Sequence, residues 1–226
     1  AAWAKLSGNS LSLQNVIYLV DAMSDCIIRN EVPFCELDSH AGDGDFGMSV
    51  AKGFRCLKEQ WQSILAGSDT IGSFLDQSSL VIMEHCGGAS GPIWGSAFRA
   101  ASRSAGQKTV LSAEETAELL QAAVRGIQTT GERSFGRGAV VGDKTLIDAL
   151  VPFADTWSRL APTGALIPEI AREAAKAAVL GAAATEKIVA RMGRAGTVGE
   201  RSLGYPDAGA YALGVIFTAC ADCLQG

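Results

Sequence analysis

Apolar residues recur at three- and four-residue spacing along almost the whole chain, and no stretch alternates in steps of two with β-branched residues. Leu13, Val16, Ile17, Val20 and Ile27 form one stripe, which ends before Pro33; Val50, Phe54, Leu57, Trp61, Ile64 and Leu65 form a second. A period near 3.6 places each set on one side of a helix. Ser112-Ala113-Glu114-Glu115 reads as a capping box, in which Ser112 and Glu115 each satisfy an orphan backbone N–H, and Leu119, Leu120, Val124 and Ile127 continue the helix behind it. Further on, Leu146–Leu160 (with a kink or break at Pro152), Pro168–Met192 and Ala208–Leu224 are rich in Ala and Leu, which favour helix. The expected fold class is all-α with about eight helices. No low-complexity linker, charge block or repeat divides the 226 residues, so a single domain over 1–226 is expected.

Composition narrows the function classes. At 48% hydrophobic and 19% charged the chain can bury a sizeable core and is not a disordered segment. Nineteen Lys and Arg against 24 Asp and Glu give a net charge of −5, so no chain-wide cationic field draws a nucleic acid, and none is expected as partner. The apolar runs around 174–184 and 208–221 fall short of the roughly 20 residues of a membrane span. Six cysteines are scattered through a chain long enough to need no staples, and no secretion segment opens it, which makes the cytoplasm the expected compartment. Cys220-x-x-Cys223 lacks a second Cys or His pair, and reads as buried helix cysteines rather than half a zinc site.

The glycines gather in four polar loops, at 42–47, 87–95, 136–142 and 193–209, and function is sought there. In the first, Asp38, Asp43 and Asp45 lie within eight residues, interleaved with glycines that allow a tight turn. Three anions aimed at one point repel unless a cation sits between them, and hard divalent ions take oxygen ligands. Because Mg²⁺ accepts only one or two carboxylates and completes its octahedron with water and phosphate oxygens, two ions sharing three Asp is a natural solution. The spacing is not that of a calcium-binding EF-hand; a helix N-cap with a polar turn is the plainer alternative.

The second loop, Gly87–Gly95, has clustered glycines and Ser90 at a helix start. Exposed N–H groups there suit an anion, although a close helix–helix contact explains glycines equally well, and the Gly-Lys-Ser/Thr of a Walker loop is absent. The third puts Asp143 at a helix start, with N-capping as the simple reading. The fourth carries Arg194, Arg201 and Asp207. An arginine can hold a phosphate bidentately or sit in a surface ion pair, and Asp207 can cap the last helix.

Taken in order, the segments LDSHAGDGDFG (37–47), GGASGPIWG (87–95), GDKTLIDAL (142–150) and GRAGTVGERSLGYPDAGA (193–210) resemble the nucleotide-binding subunit of dihydroxyacetone kinases, equivalent to the C-terminal domain of the single-chain ATP-dependent enzymes. The resemblance runs from about residue 11 to 222. It implies an antiparallel barrel of eight helices that binds ATP or ADP through two Mg²⁺ at one end. By position, Asp38, Asp43 and Asp45 would ligate the metals; Phe46, Gly47, Met48 and Ser49 would line the phosphate region; Ala89 and Ser90 would meet the phosphates. Leu146 and the Arg137–Gly138 turn would flank the base, and Arg194 with Asp207, Ala208 and Gly209 would close the site. Phe46 stands where many members carry His, Leu146 where Met is common, and Ala208 where Pro is common.

The implied activity is a phosphotransferase component that presents the γ-phosphoryl of ATP to a ketose. The family binds its ketone covalently to a histidine of a separate substrate domain, and neither His40 nor His85 has that context. A substrate-binding subunit or domain is therefore the expected partner, with a phosphocarrier subunit where the bound ADP is recharged in place. Two other readings stay open: the nucleotide domain of a fatty-acid kinase, and a nucleotide-bound regulatory module.

Overall fold

The computed structural model describes residues 2–192 and 199–224. Among these residues are ten α-helices: α1 (Leu13–Arg29), α2 (Glu31–Asp38), α3 (Phe46–Glu59), α4 (Trp61–Ala66), α5 (Ile71–His85), α6 (Ser90–Ala105), α7 (Ala113–Phe135), α8 (Ile147–Leu160), α9 (Ile167–Ala184) and α10 (Ala208–Cys223). Eight of them close a ring: α1 packs on α3, α3 on α5, and α5 to α10 each on the next, with α10 returning to α1. The short α2 and α4 lie outside this ring order, as connections on either side of α3.

The ring runs up and down. At one end the chain starts α1, α5, α7 and α9, and the ends are laced together. Leu13 N–H donates to Thr109 O and Ile71 N–H to Lys108 O, both over 2.9 Å. The Asn9 side chain bridges Ala165 O and Ile167 N–H. Two three-residue strands, β1 (Ser10–Ser12) and β2 (Val110–Ser112), pair antiparallel there, with Leu11 opposite Leu111. This pair is the departure from an all-helical chain; three residues are too few to show alternation, and the pairing is made by distant segments. The opposite end starts α3, α6, α8 and α10.

Capping differs between the two ends. At the laced end Ser12, Thr70 and Ser112 each close a capping box, with Asn15, Ser73 and Glu115. At the other end the N-cap residues of α3, α6 and α8 make no side-chain cap bond, although Asp38 accepts from Phe46 N–H and Thr145 Oγ1 from Ile147 N–H, and α10 is capped by Asp207, which accepts from Ala210 N–H at 2.8 Å. The first N–H groups of a helix have no intrahelical partner, so an uncapped start leaves donors and a positive dipole end directed outward.

Packing is aromatic in the core. Phe54 meets Trp94 and Phe98 edge-on, and Phe153 of α8 stacks on Phe217 of α10 at 3.8 Å. The buried indole of Trp157 donates to Ala113 O at 2.9 Å, tying α8 to α7. An apolar cavity of about 230 Å³ lies inside the ring, bordered by Val20, Phe98, Leu119, Phe153 and Leu213. Pro152 does not break α8. It lacks the N–H that Asp148 O would accept, and α9 comes against that carbonyl with Gly181, where a Cβ would collide.

Several boundaries differ from the sequence pattern. The stripe over Val50–Leu65 belongs to two helices, broken at Gln60, and α4 packs on both α3 and α5. The stretch Pro168–Met192 is helical only to Ala184, after which Thr185–Lys187 form a 3₁₀ turn and the chain extends at Ile188. Asp143 does not start α8. Leu146 is the N-cap residue, and it is Asp148 whose carboxylate gathers Gly142 and Thr145 N–H. All six cysteines are free; Cys220 and Cys223 lie on α10, half-buried rather than buried. Among the described residues, no helix is long and apolar enough to cross a membrane.

Candidate functional site

The loop between α2 and α3 folds around Asp38. Its Oδ2 accepts from Gly44 N–H at 3.1 Å and Phe46 N–H at 3.2 Å, so the last residue of α2 reaches across to the start of α3. Gly44 sits at φ +78°, a conformation that lets the turn bring Asp43 and Asp45 to the same side. One carboxylate oxygen of each of Asp38, Asp43 and Asp45 lies within 4.8 Å of the others. Asp43 is exposed and the other two half-buried. Three oxygen donors at that separation fit a hard divalent cation, which removes the repulsion they otherwise carry.

Beside them a cavity of about 330 Å³ opens, within the range of small-molecule sites. It brings together Asp38, Asp43, Asp45, Phe46, Ser49, Ala89, Ser90, Leu146, Asp207, Ala208 and Gly209, which the sequence scatters over some 170 positions. The α3 and α6 starts meet here, joined by Gly87 N–H donating to Ser49 O at 3.1 Å. Gly209 packs close enough to Leu146 that a Cβ would stand 3.2 Å from that of Leu146.

Other residues singled out from the sequence stand off the cavity. Gly47 lies on the face of α3 packed against α2, where a Cβ would collide with Glu31 O and the backbone of Cys35. Met48 is exposed, and its N–H donates to Cys35 Sγ. Gly138 packs on Gln128. Arg137 is held bidentately by Asp143, Nη1 to Oδ2 at 2.6 Å and Nη2 to Oδ1 at 2.9 Å, while Asp143 also accepts from Val140 N–H. The Arg137 guanidinium beside the buried Asp143 holds its carboxyl below the usual range. Arg194 lies outside the described residues.

The cavity also takes a wall that the sequence reading missed: Ile127, Thr130, Gly131, Ser134 and Phe135 of α7. These continue, at helical spacing, the face of Thr116, Leu119, Leu120 and Ala123 that borders the apolar cavity. The change from large apolar to small and polar residues along one face was the available signal. Lys144 and Met192 also line it. Burial, reinforced by Asp148 and Asp38, raises the Asp207 carboxyl to about 7, against the Ala210 N–H bond and the Lys144 charge. The His40 ring stacks on Tyr205 at 3.9 Å, linking the aspartate loop to the segment before α10.

Fold and cavity together define an eight-helix up-and-down barrel with a cluster of carboxylates at the end where α3, α6, α8 and α10 begin. Residues 40–222 match the DAK2 domain, and the chain belongs to that family. It is 31% identical over 206 residues to an L-erythrulose kinase of Pectobacterium atrosepticum, a match covering 91% of this chain and 34% of that protein. It is 29% identical to the ADP-binding subunit DhaL of the PEP-dependent dihydroxyacetone kinase of Escherichia coli, covering 89% of this chain and 92% of that subunit. The dihydroxyacetone kinase of C. freundii, solved in complex with AMP-PNP and Mg²⁺, superposes with a TM-score of 0.61 at 25% identity, over 92% of this chain and 33% of that one. The chain thus spans about a third of the erythrulose kinases it matches.

Proposed function

We propose that this chain is the nucleotide-holding component of a ketose kinase of the dihydroxyacetone kinase type. The observation that carries the reading is the convergence of three carboxylate oxygens within 4.8 Å on a cavity at which α3 and α6 begin. Carboxylates and a polyphosphate share one site only through bridging cations, and the positive dipole ends of helices suit the phosphate oxygens. The kinship with ADP-binding subunits and with a kinase solved with AMP-PNP and Mg²⁺ supports it.

In this reading Asp38, Asp43 and Asp45 hold two Mg²⁺, which when bound neutralise the charge of the transferring phosphoryl group. Phe46 and Ser49, at the two ends of the first turn of α3, position the phosphates with Ala89 and Ser90. Leu146 flanks the base, with the Arg137–Gly138 turn behind the wall rather than on it, while Arg194, Asp207, Ala208 and Gly209 close the site. Phosphoryl transfer asks a protein chiefly for positioning and charge neutralisation, and that is what these residues supply. The acceptor ketose is held by a separate substrate-binding subunit or domain, and the work is done in the cytoplasm. Phosphoryl arrives either with ATP or from a phosphocarrier that recharges resident ADP.

Calorimetric titration with ADP tests the reading: binding in Mg²⁺ and at least tenfold weaker binding in excess chelator are expected. Equal affinity in both would remove the metal-bridged site. Addition of a cognate substrate subunit is expected to confer ketose phosphorylation that the chain alone lacks.

A further inference from the structure

Lys144 is the one non-glycine residue at positive φ among the described residues, at +64°. Its side chain is buried to 1% exposure, and burial depresses its basicity. A strained backbone and a buried ammonium at one residue persist only where the surroundings determine both. Here the surroundings are two carbonyls far apart in sequence: Lys144 Nζ donates to Ile188 O at 3.1 Å and to Ser202 O. One ammonium therefore ties together the two ends of the chain between 188 and 202. Beside it, Ala190 N–H donates to the buried Ser202 Oγ at 2.9 Å and Gly204 N–H to Glu186 O at 2.9 Å, while Arg191 N–H donates to Asp143 O. The acidic groups acting on the ammonium, Asp207, Glu186 and Asp148, come from the same segment and from α8.

The segment so gathered leads directly into the cavity wall. Three residues beyond Gly204, Asp207 N–H donates to the buried Thr185 Oγ1, and Asp207, Ala208 and Gly209 follow as lining residues. We propose that Lys144 is a positioning residue for nucleotide binding: by joining Ile188 and Ser202 it sets where the start of α10 stands at the cavity. This rests on the nucleotide reading above. A lysine suits the task because its compact ammonium offers three donors on a long stem, whereas a backbone turn alone would be met better by glycine.

Two variants separate ammonium from turn. Lys144→Met keeps the stem and removes the donors; Lys144→Gly relieves the positive φ and also removes them. Both are expected to weaken ADP·Mg²⁺ binding tenfold or more at temperatures well below melting. Both are also expected to speed hydrogen exchange at the Ala190 and Gly204 amides at least tenfold, with the Leu13 and Ile71 amides of the laced end unchanged. If Lys144→Gly binds ADP·Mg²⁺ as the unaltered chain does, the ammonium positions nothing and the proposal fails. It fails likewise if exchange accelerates at both ends alike, which is the mark of a general stabilising residue. Should both variants fail to fold, exchange on the unaltered protein decides: Ala190 and Gly204 amides must be protected together and slowed further by ADP·Mg²⁺, and absence of either overturns the proposal. Failure of the unaltered chain to bind ADP·Mg²⁺ would overturn the nucleotide reading instead, with the exchange pattern of the variants still reporting on the tie.

Discussion

Replacing Asp43 by Asn changes one charge in the carboxylate cluster while keeping an acceptor oxygen in the same place. Each pair among Asp38, Asp43 and Asp45 stands within 4.8 Å. For exposed charges in water, Coulomb's law puts the repulsion at about 0.9 kcal/mol per pair at that distance. The substitution removes two of the three pairs, about 1.7 kcal/mol, which screening at physiological salt reduces to roughly 1 kcal/mol. Without metal, Asp43→Asn is therefore expected to melt about 2–4 °C above the unaltered chain, the shift that 1 kcal/mol gives in a protein of this size. The gain should grow at low salt. With Mg²⁺ and ADP the order reverses, because saturation at a hundred times Kd adds about 2.7 kcal/mol to the chain that still binds. Thermal unfolding in chelator and then in Mg²⁺ with ADP measures both arms. A variant that melts lower in chelator would show Asp43 to be a structural turn residue and would refute the argument from charge crowding.

Trp157→Phe keeps most of the ring volume but leaves Ala113 O without its buried donor, so a loss of about 1–3 kcal/mol is expected in chemical denaturation, with nucleotide binding unaffected. Asp143→Asn breaks the bidentate pair with Arg137 but keeps an acceptor for Val140 N–H. Because that guanidinium is exposed to water, only a modest loss of stability is expected at pH 7. Since the folded state lowers the Asp143 carboxyl, its contribution is complete above the unfolded value near 3.9 and disappears as pH falls through the folded one. The gap between the denaturation curves of Asp143→Asn and the unaltered chain should thus begin to narrow only as pH falls below about 4 and close below the folded value. A gap that persists there would place the interaction elsewhere.

Helix identity was legible in the sequence because it is a local property. Ser112 and Glu115 lie three residues apart and close their box without help from the rest of the chain, and α7 begins where they place it. The aspartate cluster was legible for the same reason, since Asp38, Asp43 and Asp45 share one turn whose glycines set its path. What the sequence could not place depended on partners distant along the chain. Asp143 has the spacing of a helix cap, yet Arg137 outcompetes that role and Asp148 performs the gathering of N–H groups instead. The Ala-rich run after Pro168 has the propensity to continue to Met192, but Thr185 Oγ1 accepts from Asp207 N–H and Ser202 Oγ from Ala190 N–H, and the helix ends at Ala184. The α7 wall and Lys144 belong to the site only because the ring closes, bringing a helix face and a buried ammonium beside loops scores of residues away. Periodicity and short-range hydrogen bonds are written residue by residue. The cavity is made by closure, which depends on all eight helices packing at once.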